Sequence, residues 1–282
     1  MKEITNLKPS VSLIQPSHCN RLFKRYDEPK FGKGLVNMQN ELVLLHGWGM
    51  NQGVWQLIKP ELEFLYSANV RSLDLPGFGN SSVCPTPYTL HDAAALLSEQ
   101  LKPHSILMGW SLGGLFALYI AKHWPEKVSK VILIASTPFF AESDNWPGIK
   151  ANVLTQFKEQ LVNHREKTIE RFLAIQAMGS ESARDDIKQL KQLLNQYGAP
   201  KSEALSAGLE ILQNDDLRGL FAHCTVPIKA IFGRLDALVP YKAVSKMAAL
   251  NTDFEYEVID KASHAPFISH KDEFLSTVKS ML

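Results

Sequence analysis

The pattern Gly-x-Ser-x-Gly at residues 109–113 limits the fold of this chain more narrowly than any other feature. An apolar run at residues 106–108 precedes it, and an apolar, helix-forming segment follows it directly. A strand, a sharp turn and a helix are the context in which this pattern carries a nucleophile, and the turn requires glycine beside it. We therefore predict that Ser111 adopts a strained conformation and projects its hydroxyl from the end of a strand. In the alternative, Ser111 only caps the helix.

Short apolar runs alternate with helical patterns along much of the chain, which predicts parallel β-α-β units with helices on both faces of a sheet. The predicted strands are residues 42–45, 70–75, the run at 106, 131–135, 227–232 and 254–259, and residues 88–101 predict a helix. Between residues 145 and 220 only helical periodicity is present. We expect an α/β core of residues 39–144 and 221–282, mostly parallel, with an all-helical cap inserted at 145–220 over the carboxyl ends of the strands. Residues 1–38 form an N-terminal extension that is expected either to fold as an early hairpin or to be partly disordered.

The composition argues against several classes of protein. The net charge of +1 gives no basic excess that would favour nucleic acid. The chain has neither an apolar run of roughly 18 residues nor the apolar segment of a signal peptide. We expect a cytoplasmic protein with no nucleic-acid or membrane partner. The three cysteines, Cys19, Cys84 and Cys224, match no metal-binding spacing and are expected to be free thiols.

An acid and a histidine follow the serine in the order that is typical of α/β-hydrolases. Asp236 lies just after the predicted strand 227–232, and His264 lies just after the predicted strand 254–259. A serine hydroxyl needs an adjacent base, and that base needs a third group to orient it. We therefore predict a catalytic triad of Ser111, Asp236 and His264. Taken alone, Asp236 could open a turn, and His264 is one of nine histidines with structural or solvated roles open to it.

Two backbone N–H groups are expected to form an oxyanion hole for the developing negative charge. One belongs to Leu112, directly after the nucleophile, and the other to Trp48, in the glycine-rich loop after the first strand. His46 is expected to support this loop and not to act as a second base. Asp74 precedes the serine and is interpreted as architectural, whereas His270 is interpreted as the start of a helix.

Two groups of segments point to a known family. Residues 44–51, 74–79, 109–115 and 263–270 form the first group, and the cap segments 146–150, 170–179 and 208–212 form the second, more specific group. Together they resemble the pimeloyl-[acyl-carrier protein] methyl ester esterases of biotin synthesis, from about residue 41 to the C-terminus. The resemblance implies an α/β-hydrolase fold and a serine carboxylesterase that converts the methyl ester of pimeloyl-[acyl-carrier protein] to pimeloyl-[acyl-carrier protein] and methanol. It implies an acyl-enzyme on Ser111 and neither a metal nor an organic cofactor.

The resemblance also implies residues that bind the substrate and its carrier. The implied acyl-binding residues are Trp48, Ser111, Leu112, Phe172, Leu173, Ala174, Ile175, Gln176 and His264. The implied docking residues for the acyl-carrier protein are Lys167, Arg171, Arg184 and Lys188. Residues 167 and 171 are four apart, as are residues 184 and 188, so helical spacing places each pair on one face of its helix. Family members can carry arginine at all four docking positions, and lysine lacks the bidentate fork of arginine. Spacing alone favours solvated surface over docking for these faces, because Glu and Asp surround them and most charged helix faces are simply solvated.

Other functions remain open on the residues alone. The same triad would serve a broad-specificity short-chain carboxylesterase or a hydrolase of carbon–carbon bonds. A receptor that keeps the fold but not the chemistry is a third candidate, and the intact triad argues against it. The chain is expected to act as a monomer.

Overall fold

The computed structural model describes residues 40–66, 69–176 and 182–282. The predicted N-terminal extension, residues 1–38, lies outside the described residues, as does the end of the 170–179 motif.

Six parallel strands form one sheet across the described residues. They are β1 (Leu42–Leu45), β2 (Val70–Leu73), β3 (Ser105–Trp110), β4 (Val128–Ile134), β5 (Ile228–Gly233) and β6 (Glu255–Ile259). Their order across the sheet is β2-β1-β3-β4-β5-β6. Gly109 of β3 lies opposite Leu45 of β1 on one side and Leu133 of β4 on the other. The three central strands therefore end close to one another, and the loops that follow them meet at one edge of the sheet.

Helices cover both faces of this sheet, as the sequence predicts. They are α1 (Lys59–Tyr66), α2 (Leu90–Ser98), α3 (Leu112–His123), α4 (Ala151–Asn163), α5 (Arg165–Gln176), α6 (Ala183–Leu194), α7 (Ser202–Asn214), α8 (Arg218–Ala222), α9 (Tyr241–Leu250), α10 (Pro266–Ser269) and α11 (Lys271–Met281). Side chains along a strand point alternately to its two faces. Leu107 accordingly lies in one buried cluster with Phe116 of α3, and Met108 lies in another with Phe274 of α11.

Five of these helices, α4 to α8, lie between β4 and β5 along the chain, and we call the first four, α4 to α7, the helical insertion. Salt bridges link its members: Lys158 of α4 contacts Glu210 of α7 at 2.6 Å, and Lys191 of α6 contacts Glu170 of α5 at 2.8 Å. The helical insertion is also fastened to the sheet, because the indole Nε1 of Trp48 donates to the carbonyl oxygen of Leu205 at 2.8 Å. The boundaries 145–220 for a separate cap stay a prediction.

Two predicted elements, β2 and α2, are longer than those observed by two residues or more. Strand β2 ends at Leu73 because the Asp74 carboxylate, directly after it, accepts backbone hydrogen bonds from Gln52 and Asn80. Helix α2 begins at Leu90 because the hydroxyl of Thr89 accepts the backbone N–H of Asp92 at 3.1 Å, which caps its first turn. In both places a polar side chain sets a boundary of the element inside the one that the apolar pattern predicts.

The described residues include no helix with the length and apolar character needed to cross a bilayer. Cys84 and Cys224 are free thiols, and Cys19 lies outside the described residues.

The close approach of α3 to the end of β1 yields a stability prediction. A Cβ atom on Gly113 would lie 2.5 Å from the carbonyl oxygen of Leu45 and 2.7 Å from that of His46. We expect Gly113→Ala to lower the free energy of unfolding by about 1–3 kcal/mol, because this backbone cannot move aside cheaply. Urea unfolding followed by circular dichroism measures the change.

Gly219 of α8 is the matched control, since no heavy atom lies within 4 Å of a Cβ placed there. Gly219→Ala should leave stability unchanged or raise it by up to about 1 kcal/mol. Equal destabilisation by the two variants would contradict the close approach at Gly113.

Candidate active site

The turn between β3 and α3 carries Ser111 in a strained backbone conformation. Ser111 has φ 53° and ψ −118°, values that cost a non-glycine residue about 1–3 kcal/mol. Its side chain caps no backbone N–H group of α3, in contrast to the alternative in which Ser111 is only a helix cap. The hydroxyl is therefore not used as a helix cap and can act as a nucleophile. A sharp strand-turn-helix unit that carries a serine in this way is called a nucleophile elbow.

A buried hydrogen bond joins the predicted acid and base. Nδ1 of His264 donates to Oδ2 of Asp236 at 2.8 Å, and both side chains are completely buried. The other carboxylate oxygen, Oδ1, accepts the backbone N–H groups of Leu238 at 2.8 Å and Val239 at 2.9 Å. These contacts fix the carboxylate, which in turn fixes the ring and its tautomer. Asp236 therefore both opens a turn and orients His264.

The second nitrogen of the same ring is available for proton transfer. Nε2 of His264 is buried and makes no hydrogen bond to any residue in the described part of the chain. The backbone carbonyl of His264 accepts the indole N–H of Trp110 at 2.8 Å, and Trp110 directly precedes Ser111. This bond holds the loop of His264 against the end of β3. His264, whose Nε2 has no described hydrogen-bond partner, therefore lies at the same edge of the sheet as Ser111.

The expected oxyanion-hole donors are free among the described residues. Neither the backbone N–H of Leu112 nor that of Trp48 donates to a described acceptor. The loop of Trp48 approaches the elbow closely, since a Cβ atom on Gly47 would lie 3.3 Å from Cβ of Ser111. Trp48 itself is buried, and its ring contacts that of Phe172 edge-on at 4.7 Å between centroids. The side chain of Trp48 thus packs against the helical insertion, while its backbone N–H stays without a described acceptor.

His46 supports this loop, as predicted, and both of its ring nitrogens are occupied. Nδ1 donates to the carbonyl of Gly47 at 2.8 Å, and the backbone N–H of Leu75 donates to Nε2 at 3.0 Å. A carbonyl only accepts and an amide only donates, so this pairing selects the neutral Nδ1–H tautomer. Burial lowers the pKa of His46, although the Asp74 carboxylate 3.8 Å away opposes that shift. His46 is thus unsuited to act as a second base.

Five of the predicted acyl-binding residues, 172–176, lie at the end of α5. Phe172, Leu173 and Gln176 are buried, Ile175 is half-buried and Ala174 is exposed. A cavity of about 510 Å³ adjoins them and is lined by Gly49, by polar and charged side chains, and by the apolar side chains of Ile169, Leu173 and Leu194. The assignment of these residues to the acyl chain stays a prediction.

Gln176, the last residue of α5, forms hydrogen bonds to the loop that carries His264. The carbonyl oxygen of Gln176 accepts the backbone N–H of His264 at 3.2 Å and the hydroxyl of Ser263 at 2.9 Å. The side-chain oxygen Oε1 of Gln176 is buried without a hydrogen bond to a described residue. Sequence patterns gave no sign of these contacts, because they join segments that are far apart in the chain.

The four predicted docking residues are exposed on α5 and α6, which pack against each other. Among the described acids, none forms a salt bridge with Lys167, Arg171, Arg184 or Lys188. Arg171 donates to Oε1 of Gln160 at 3.1 Å, which positions its guanidinium beside α4. Lys191 differs from these four, because it pairs with Glu170 and lowers the pKa of that carboxyl. The helical insertion therefore presents exposed cations that no described acid pairs with.

No group of three or more His, Cys, Asp or Glu side chains within the described ranges is arranged to hold a metal ion.

Comparison with known proteins identifies the class. A family model described as the alpha/beta hydrolase fold matches residues 40–271. The esterase EaEST from Exiguobacterium antarcticum has a TM-score of 0.75 over 86% of this chain and 91% of that chain, at 23% sequence identity. The chain belongs to the α/β-hydrolase fold family, which confirms the predicted fold class.

Proteins of similar sequence identify the family within this class. The pimeloyl-[acyl-carrier protein] methyl ester esterase of Pseudoalteromonas atlantica is 47% identical over 235 residues, which span 83% of this chain and 90% of the relative. The esterase of the same name from Aeromonas hydrophila is 44% identical over 255 residues, 89% of this chain and 96% of the relative. Within the hydrolases, the chain belongs to the family of pimeloyl-[acyl-carrier protein] methyl ester esterases.

The buried ring of His46 makes the stability depend on pH. Its folded pKa lies below the ordinary value of 6.5, so below that pH the unfolded chain binds more protons than the folded one. We expect the free energy of unfolding to fall as the pH drops below about 6.5, with a contribution of up to about 1.4 kcal/mol per pH unit from this one proton. Urea unfolding at about pH 5.5 and about pH 7.5 measures it.

His46→Gln removes the titrating ring, so the difference in stability between the two pH values should shrink by the contribution of His46. An unchanged difference would show that His46 is not held neutral by the fold. If the variant does not fold, ¹⁵N chemical shifts of the wild-type ring give the same information through the protonation of Nε2, the nitrogen that accepts from Leu75 in the neutral ring.

Proposed function

We propose that this protein is a serine esterase that hydrolyses the methyl ester of pimeloyl-[acyl-carrier protein], with Ser111 as nucleophile, His264 as general base and Asp236 as the group that orients His264. The observation that carries the proposal is the buried bond between Nδ1 of His264 and Asp236, which leaves Nε2 bare at the edge of the sheet where Ser111 lies. A carboxylate on Nδ1 stabilises the imidazolium that forms when Nε2 takes a proton.

The reaction proceeds through two tetrahedral intermediates. The Oγ atom of Ser111 attacks the carbonyl carbon of the methyl ester while Nε2 of His264 accepts the hydroxyl proton. The negative charge on the carbonyl oxygen is met by the N–H groups of Leu112 and Trp48. The bond to the methoxy group breaks, and methanol leaves with the proton from His264. A water molecule then attacks the acyl-enzyme, again with His264 as base, and the free carboxylate of pimeloyl-[acyl-carrier protein] is released.

The substrate class rests on the family and on the helical insertion. The apolar side chains of Ile169, Leu173 and Leu194 line a cavity beside Gly49, in the loop that carries Trp48. They suit a chain of methylene groups. Acyl-carrier protein, the partner named in the relatives, is proposed to dock on the exposed cations of α5 and α6. Lysine at positions 167 and 188 supplies charge without a bidentate fork, which makes this docking depend mainly on long-range attraction. We further propose that the protein acts as a monomer in the cytoplasm, in keeping with its free thiols at Cys84 and Cys224.

Replacement of the nucleophile tests the chemistry. Ser111→Ala is expected to lower kcat by roughly 10⁴- to 10⁶-fold on any ester, because binding and the oxyanion hole remain but the attacking oxygen is gone. The fold should be retained. Hydrolysis of pimeloyl-[acyl-carrier protein] methyl ester is followed by the release of methanol.

Ser105→Ala is the matched control, because Ser105 is a buried serine at the opposite end of β3. It should keep wild-type turnover. A Ser111→Ala enzyme that still hydrolyses ester at more than about a hundredth of the wild-type rate would refute Ser111 as the nucleophile.

Neutralisation of the docking cations tests the partner. A variant with Lys167, Arg171, Arg184 and Lys188 changed to Gln should raise KM for the carrier-bound ester by about tenfold to a hundredfold at low salt. Turnover of a small nitrophenyl ester should not change, because that substrate does not need the carrier surface. Initial rates over a range of salt concentrations measure both effects.

A control variant changes Lys242, Lys246, Lys261 and Lys279 to Gln, which gives the same change in net charge on other exposed positions. It should keep the wild-type KM for the carrier-bound ester. An equal rise in KM in both variants would mean that overall charge, and not the helical insertion, attracts the carrier. An equal loss of activity on carrier-bound and small esters would refute the docking surface.

A further inference from the structure

Ser136 is a buried serine that contacts the nucleophile elbow from the neighbouring strand. It follows β4 by two residues, and its hydroxyl donates to the carbonyl oxygen of Ser111 at 2.7 Å. The residue is completely buried. It belongs neither to the triad nor to the oxyanion hole, and no sequence pattern indicates it.

The bond from Ser136 acts on a peptide group that also forms half of the oxyanion hole. The carbonyl of Ser111 and the N–H of Leu112 belong to one planar trans unit, in which they point in opposite directions. Whatever fixes the direction of the carbonyl therefore fixes the direction of the N–H. Among the described residues, two donors hold this carbonyl: the hydroxyl of Ser136 at 2.7 Å and the backbone N–H of Gly114 at 2.9 Å.

The same bond also changes the strength of the donor. A hydrogen bond to an amide carbonyl polarises the amide, and its N–H becomes a better donor. The bond from Gly114 lies within the first turn of α3, whereas the bond from Ser136 comes from β4 and is independent of the helix. Strand β4 holds the other side of the elbow as well, because the N–H of Ser111 donates to the carbonyl of Ile134 at 3.0 Å.

We propose that Ser136 is a positioning residue that aligns and polarises the peptide between Ser111 and Leu112 for stabilisation of the oxyanion. This inference rests on the proposed function, because it requires Ser111 to be the nucleophile. The oxyanion exists in the tetrahedral state and not in the bound ester, so the contribution of Ser136 falls on kcat and not on KM. A purely structural role would lower stability and leave the turnover of each folded molecule unchanged.

The test uses two variants and a small nitrophenyl ester, which makes it independent of the carrier. Ser136→Ala removes the hydroxyl, and Ser136→Cys keeps the size of the side chain but replaces the hydroxyl with a weak donor. Rates are normalised to the number of folded sites, counted by stoichiometric titration of Ser111 with a phosphonate. Ser105→Ala is the matched control, since Ser105 is also a buried serine whose hydroxyl donates to a backbone carbonyl, that of Lys102 at 2.8 Å.

Both Ser136 variants should lower kcat about tenfold, less than the roughly 10²- to 10³-fold that follows loss of a whole oxyanion-hole donor. KM should change less than about twofold, and the pH dependence of kcat should be unchanged because His264 and Asp236 are untouched. An alkylboronic acid that forms a tetrahedral adduct on Ser111 should bind about tenfold more weakly to both variants. Ser105→Ala should match the wild type in all of these measurements.

Three results would overturn the inference: wild-type kcat per titrated site in both variants, a rise in KM with unchanged kcat, or an equal loss in Ser105→Ala. If Ser136→Ala does not fold, Ser136→Cys alone decides between these outcomes. Absence of ester hydrolysis by the wild-type protein is a different result, and it would refute the proposed function itself.

Discussion

The backbone of Ser111 is held in a conformation that an isolated chain would avoid, and the surrounding structure is arranged to hold it there. Strand β4 contacts the turn through the carbonyl of Ile134 and the hydroxyl of Ser136. On the other side, α3 can approach the end of β1 only because residue 113 is glycine. Since β1 and β4 are the two neighbours of β3, the parallel order of the sheet supplies both supports. The same order brings the loops of Trp48, Asp236 and His264 to the edge where the turn lies.

The helical insertion and the sheet are not independent parts of this site. Trp48, on the core loop, is bonded to α7 through Leu205, and the loop of His264 is bonded to α5 through Gln176. The loops of Trp48 and His264 are thus positioned partly by residues of the helical insertion. A change at the end of α5 would therefore alter the position of the loop that carries His264.

The sequence predicts the elements of the site better than the contacts among them. The bounds of β1 match the apolar run at residues 42–45, because a strand buried on both faces is apolar at every position. The order of Ser111, Asp236 and His264 after three strands follows from motif and periodicity, and the structure joins the last two directly. The bonds of Ser136 to Ser111 and of Gln176 to His264 have no such signal. They depend on how distant segments meet, and a lone polar residue after a strand does not reveal its partner.

The most direct test of the account is the location of the covalent intermediate. The enzyme is mixed with pimeloyl-[acyl-carrier protein] methyl ester, quenched in acid within milliseconds, digested and analysed by mass spectrometry. The account predicts that the acyl group is found on Ser111 and that the Ser111→Ala protein carries none. An acyl group on another residue, or steady hydrolysis with no acyl-enzyme under conditions where acylation is faster than deacylation, would contradict it.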